Sequence, residues 1–435
     1  MPVVAALAAC QTVTASPSAR PIPSPIPQTP TLVPSIRVIS HQLLQGPASG
    51  EWRVVGLVEN QRQAIAGQIQ LAVRLFDETG AVIAEKPASI LLSNLLPEEV
   101  SPFLVSFEGA AMPTEAQVEL SLMDPASGTA ASGLASDVSE SRPELVTELE
   151  EFFVTGSGEL AIMGFVANPG SDHIAFNSLG FLGRAPNDSE KSLAEMQFGP
   201  NQLAPGDKAP FLALAPETPG AVRWTLYHDG LIVEPPGPEA LAILGTPQLH
   251  LTAQGSPFVV GTVANSGKPA SGTVLISLFD GNRLIGLWEF ETPRSLEAGE
   301  QLPFAAFGFP GVNLRLDPGD PGAIRVETRV EETASDGTSM LIDMPVDVSS
   351  FLSVGSAIFI RGVVRNSMDI DVDSVTVYAE VRSSAGDLIT AGWSTAGYLE
   401  PGESRNFVLD LPVPVGMDAT LTEYDLRAIG LKAQP

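Results

Sequence analysis

Cysteine occurs once in 435 residues, at position 10, so no disulfide can close within the chain. A thiolate zinc site is excluded for the same reason. Basic side chains are also scarce. The 23 Lys and Arg, only five of them Lys, face 51 Asp and Glu, for a net charge of -28. Nucleic-acid phosphates need clustered cations, and no stretch concentrates them, so a nucleic-acid partner is excluded. The four histidines, His41, His173, His228 and His250, are scattered without metal-ligand spacing. No run reaches the 18 or more apolar residues of a membrane-crossing helix. Long helices are disfavoured too, because 40 Gly and 38 Pro interrupt the chain throughout.

Catalytic signatures are equally thin. No Gly-x-Ser-x-Gly elbow occurs, and nucleophilic catalysis needs a base beside its Ser or Cys. The stretch Gly261 to Lys268 departs from a phosphate loop by having five residues between its glycines and Pro269 after the Lys. Carboxylates are too abundant for any pair to single out a glycosidase. The chain is therefore expected to be non-catalytic and to need no cofactor.

What is present begins with the single Cys. Leu7-Ala8-Ala9-Cys10 follows a short apolar run and resembles the bacterial lipoprotein box, in which the Cys thiol carries diacylglycerol. Nine residues precede Cys10, none of them basic, so the charged part of the signal is expected upstream of Met1. Residues 11–35 are rich in Pro, Ser and Thr and suit an extended, disordered tether. The expectation is an extracytoplasmic protein held to the membrane of a bacterial envelope by a lipid on Cys10.

The body repeats. A strand ending in Gly-x-x-x-Asn occurs four times, with Gly56 and Asn60, Gly164 and Asn168, Gly261 and Asn265, and Gly362 and Asn366. Successive Asn lie 108, 97 and 101 residues apart. A second landmark, Phe103, Phe211, Phe304 and Phe407, follows each Asn by 43, 43, 39 and 41 residues. Each Phe stands eight residues after a Leu, with a turn between: Pro97-Glu98-Glu99, Pro205-Gly206-Asp207, Ala298-Gly299-Glu300 and Pro401-Gly402-Glu403. Two landmarks in register four times imply a repeated module of about 100 residues.

Between the landmarks lie alternating strands, such as Gln68 to Phe76 and Thr273 to Phe279. In the fourth copy Val375, Val377, Ala379 and Val381 share one side, a period of two that means strand. The fold expected is all-β: four tandem immunoglobulin-like antiparallel β-sandwiches behind the tether. The sandwiches are placed at residues 36–124, 145–234, 246–331 and 340–435, with linkers at 125–144, 235–245 and 332–339. Thr147 to Val154 and Glu239 to Leu244 are short helical alternatives. Joined end to end, four such units would form an elongated rod.

The run of strand, Gly-x-Val-x-Asn, a strand ending Leu-Phe-Asp (Leu75-Phe76-Asp77 and Leu278-Phe279-Asp280) and Leu-x-Pro-Gly before the Phe resembles bacterial FxLYD-type immunoglobulin-like domains. The second and fourth copies depart from it, with Leu182-Gly183 and Arg382-Ser383 in the Leu-Phe-Asp place. The resemblance implies an extracytoplasmic sandwich and brings no catalytic residues.

The repeated Asn are expected to be turn residues bonding local backbone, and the repeated Phe to be core. Asp369, Asp371 and Asp373 alternate along one extended segment and form a weak calcium candidate, set against a solvent-facing edge with Ile370 and Val372 packed inward. Asp317-Pro318-Gly319-Asp320-Pro321-Gly322 is a double turn. Trp52, Trp224, Trp288 and Trp393 fall one per copy and read as core or rim aromatics, not as a sugar-binding platform. The expected role is a surface scaffold or protein-binding module whose partner is an envelope protein or a polysaccharide. The alternative is a carbohydrate-binding or accessory subunit of an envelope enzyme or transport system.

Overall fold

The computed structural model describes residues 35–46, 50–67, 69–122, 141–216, 221, 223–237, 239–308, 324–333, 341–354, 357–416 and 422–432. Cys10, the tether, most of the 125–144 and 332–339 segments and the Asp317 to Gly322 turn lie outside the described residues. Every regular element among the described residues is a β-strand, and every pairing is antiparallel. Both short helical alternatives are strands instead. Val146–Val154 pairs with Glu159–Ala167, and Leu241–Ile243, inside the expected 235–245 linker, pairs with Pro257–Asn265.

Each unit opposes two sheets. The first, termed the landmark sheet, is built from an opening strand, the Gly–Asn strand and the Phe strand. In the first unit these are Ile36–Gln45, Trp52–Asn60 and Val100–Phe107. In the fourth they are Val346–Val354, Ala357–Arg365 and Ser404–Pro412. The second, the hairpin sheet, holds the alternating middle strand between its hairpin mate and the closing strand. In the third unit it is Ser271–Asp280 flanked by Arg283–Glu291 and Ile324–Thr333. The second unit departs from a separated sandwich. Glu190–Phe198 also pairs with Lys208–Pro216, so its two sheets run on as one six-stranded sheet.

Period-two alternation decides which side chains face inward. Val375, Val377, Ala379 and Val381 all enter the core of the fourth unit, as their spacing predicts. On the Gly–Asn strands, Val54 and Val58, Ile162 and Val166, and Val259 and Val263 fill the cores of units one to three.

The opposite side of these strands is buried as well, because it meets the next unit. Val55 and Leu57 pack with Leu182 of the second unit. Ala161 and Met163 pack with Leu275, Phe279, Leu284 and Leu287 of the third. Phe258 and Val260 pack with Leu388 of the fourth. Neighbours therefore join through the outer faces of their sheets and not tip to tip, which corrects the end-to-end rod. The position before the repeated Gly marks this face. Val55, Met163 and Val260 occupy it in units one to three, each 2% exposed or less, whereas the fourth has exposed Arg361. A cation there leaves this face of the fourth unit polar where the other three are apolar.

Candidate functional site

The repeated Asn form one latch made four times. Asn60 Nδ2 donates to the carbonyls of Ala64, Leu95 and Leu96, and its Oδ1 accepts from Arg62 N–H. Asn168 repeats the set with Asp172, Leu203, Ala204 and Gly170 N–H. Asn265 bonds Lys268, Leu296 and Gly267 N–H, and Asn366 bonds Ile370, Leu399 and Met368 N–H. The backbone joins in: Asn168 N–H donates to Asp207 and its carbonyl accepts from Gly206, and the other three copies match. Each latch pins the end of the Gly–Asn strand to the turn that launches the Phe strand. All four Asn are buried, and their hydrogen-bonding groups are spent on the backbone.

That turn carries a further repeated residue that sequence reading passed over. Its acid, Glu99, Asp207, Glu300 or Glu403, is paired with an arginine in every copy: Arg142, Arg329, Arg294 and Arg405. Two of these pairs bind neighbours together. Arg142 also donates to the Asn94 and Asp229 carbonyls, at 2.6 and 3.0 Å, so one guanidinium spans the junction of units one and two. Arg329, on the closing strand of unit three, reaches Asp207 at 2.6 Å and the Gln202 carbonyl at 2.9 Å in unit two. Only the acid's recurrence after the turn Gly was visible in the sequence; its partners come from scattered positions.

The same turn needs a left-handed residue, with φ of 72°, 81° and 78° at Gly206, Gly299 and Gly402. The first copy places Glu98 there at 64°. A Cβ in that conformation costs about 1–2 kcal/mol. Glu98 is exposed, so Glu98→Gly should stabilise the first unit by about 1 kcal/mol. Slower hydrogen exchange at the Asn60 and Glu99 amides would show it; unchanged exchange would mean that the turn carries no strain.

Asp369, Asp371 and Asp373 are all exposed, while Val372 is fully buried and Ile370 packs against the core of the fourth unit. No group of three His, Cys, Asp or Glu among the described residues is placed to hold a metal ion. The histidines stay apart. His228 is held down to about 4, chiefly by burial and next by the Arg142 charge, so its imidazole is neutral at pH 7.

Among the described residues, three of the inter-unit clefts exceed about 300 Å³ and could admit a ligand. The cleft of about 530 Å³ between units two and three contains Arg329, already held by Asp207 and Glu331. That between units one and two, about 430 Å³, is lined by aliphatic side chains such as Ile90, Leu104 and Leu179, with Ser89, Ser106, Asn177, Ser178 and Glu195, and holds no aromatic ring. The groove between units three and four, about 370 Å³, differs in chemistry. Trp288 and Phe290 from Arg283–Glu291 and Trp393 from Leu388–Leu399 converge there, with the Phe290 ring edge-on to Trp393 at 5.1 Å. Trp288 in turn rests against Phe198 of unit two, with centroids 5.2 Å apart. Trp393 and Phe307 keep 38% and 45% of their surfaces exposed, which leaves aromatic area for a ligand.

Three carboxylates share the groove: Glu289, Glu291 and Asp410. Glu289 accepts the Gly199 N–H at 2.7 Å. Burial, aided by the charges of Glu331 and Glu291, pushes it up to about 7 against the pull of that bond. Glu291 and Asp410 are exposed and have no cation beside them among the described residues. The sequence displayed these tryptophans one per copy. The pairing of sheet faces brings two of them into one groove, and no local pattern encodes that.

No protein-family model matches the sequence, and no curated protein matches it. Among solved structures, E. coli alpha-2-macroglobulin in its native conformation is 11% identical over 92% of this chain and 28% of its own, with a TM-score of 0.13. A xanthan lyase from Paenibacillus is 10% identical over 92% of this chain and 50% of its own, again at 0.13. The chain thus spans half or less of the length of each, and similarity at that level carries no argument about fold or activity.

Proposed function

We propose that the chain is a non-catalytic, lipid-anchored protein of the bacterial cell envelope. Its FxLYD-type β-sandwich units serve as a surface scaffold and a protein-binding module. The observation that carries this reading is how the repeated residues are used. Asn, Gly, Phe and the turn acid all go into holding strands and neighbouring units, while the aromatic groove between units three and four is left open. A fixed array that presents a groove is what a docking protein requires. The Pro-rich segment after Cys10 suits a spacer that lifts the array off a membrane.

The anchor is tested by expressing the gene from its native locus in cells fed an alkyne fatty acid. Label is expected on the protein and in the membrane fraction, and both are expected to vanish in Cys10→Ser. Equal labelling of the variant, or a free Cys10 thiol by mass spectrometry of the mature protein, would remove the anchor. A second reading, carbohydrate binding or service as an accessory subunit of an envelope enzyme or transport system, is favoured by the convergence of Trp288 and Trp393.

A further inference from the structure

Resting on the binding-module reading, we infer that the groove between units three and four takes a cationic side chain, Lys or Arg, from an extended segment of a partner polypeptide. The chemistry of the lining is one-sided. It offers aromatic surface from Trp288, Phe307 and Trp393 around the buried Phe290, and carboxylates from Glu289, Glu291 and Asp410. Its only side-chain hydrogen donors are the two indoles and whatever proton Glu289 retains. A neutral sugar needs donors and acceptors in alternation around its hydroxyls, whereas an ammonium or guanidinium needs acceptors and π faces alone.

Two of the carboxylates, Glu291 and Asp410, are also uncommitted, whereas Glu289 holds the Gly199 N–H. Elsewhere the chain uses its few arginines to neutralise acids, as Arg294 does for Glu300 nearby, yet Glu291 and Asp410 are left with no cation among the described residues. The charge of -28 deepens the potential that a cation meets on approach. A cavity of about 370 Å³ sits at the small end of ligand pockets and suits one long side chain better than a folded ligand. Its walls come from two units locked together through Phe258, Val260 and Leu388, so the aromatic and acidic sides are held in place before a partner arrives.

The test titrates the full chain with acetyl-trilysine amide, acetyl-trinorleucine amide and cellohexaose at physiological salt, following the indole N–H resonances. Trilysine is expected to shift the Trp393 signal saturably, while the other two leave it in place. Glu291→Gln and Asp410→Asn, both at exposed positions, should together weaken trilysine at least tenfold. Trp393→Ala should do the same, and if it loosens the junction the two carboxylate variants still decide. Equal affinity in the carboxylate variants would mean diffuse attraction to an acidic surface and would overturn the inference. So would a response to cellohexaose without one to trilysine, although that result keeps a binding module and changes its ligand. Silence to all three would overturn the inference while leaving the anchor to its own fatty-acid test.

Discussion

Replacing Asn168 by Leu is expected to destabilise the second unit by about 3–5 kcal/mol, among the larger effects available to one substitution in this chain. The side chain is 1% exposed and makes four hydrogen bonds at 2.8–3.2 Å, three through Nδ2 to carbonyls and one through Oδ1. Leu keeps the approximate volume and removes all four, leaving backbone groups at the latch with no replacement for the lost partner. Asn168→Asp separates hydrogen bonding from packing. It keeps the acceptor for Gly170 N–H but turns the donating end into an oxygen facing the carbonyls of Asp172, Leu203 and Ala204.

A buried carboxylate in that place has its folded pKa raised, so its penalty is greatest at neutral pH and shrinks as pH falls towards the unfolded value near 4. Asn168→Leu has no such dependence. Exposed Asn282, which has no side-chain bond, serves as control, and Asn282→Ala should change stability by less than about 0.5 kcal/mol. Four joined units do not guarantee one transition, so the readout is hydrogen exchange at the Gly170 and Gly206 amides. Protection retained in Asn168→Leu would show that the latch follows the strand instead of holding it.

The fold was legible because its signals repeat. A two-residue period shows which side of Ile69–Phe76 is core, and a nearly constant Asn-to-Phe spacing shows that the units are copies. The Asn and Phe roles were legible for the same reason, since a buried turn Asn has few ways to satisfy both ends of its amide. The contacts between units were not. Val55, Met163 and Val260 look like ordinary strand residues, and only the exposed Arg361 in the fourth copy sets their position apart. The groove was hidden for a related reason: Trp288 and Trp393 are more than a hundred residues apart and meet through sheet-face packing. Arg142, which bridges two units, sits in a segment whose composition reads only as linker.

Adding one methyl group at the repeated Gly is expected to be costly in every unit, and by an amount that differs among them for a geometric reason. The Gly lies directly across the ladder from the repeated Phe: Gly56 opposite Phe103, Gly164 opposite Phe211, Gly261 opposite Phe304 and Gly362 opposite Phe407. In the first, third and fourth units the Phe ring lies over the bare Gly, so that a Cβ would stand 2.6–2.7 Å from ring carbons. The opening strand closes the other side. Its register shifts beside the Gly in units one, two and four, and a Cβ would strike the carbonyl of Ser40, Glu148 or Asp347. In the third unit the opening strand is split into Leu241–Ile243 and Gln248–Leu251, and only the Phe304 ring stands in the way. A ring can tilt, whereas a paired carbonyl moves only with its strand. Gly261→Ala should therefore cost about 1–3 kcal/mol, the usual range for overpacking, and Gly56→Ala, Gly164→Ala and Gly362→Ala more than that. Adding Phe304→Leu should recover part of the Gly261→Ala loss, while Phe407→Leu should recover little in Gly362→Ala because the Asp347 carbonyl remains. Urea unfolding followed by hydrogen exchange within each unit measures the ranking. Equal losses at Gly261 and Gly362 would mean that the opening strand yields as easily as a ring, and that the shifts of register beside these glycines are not what requires them.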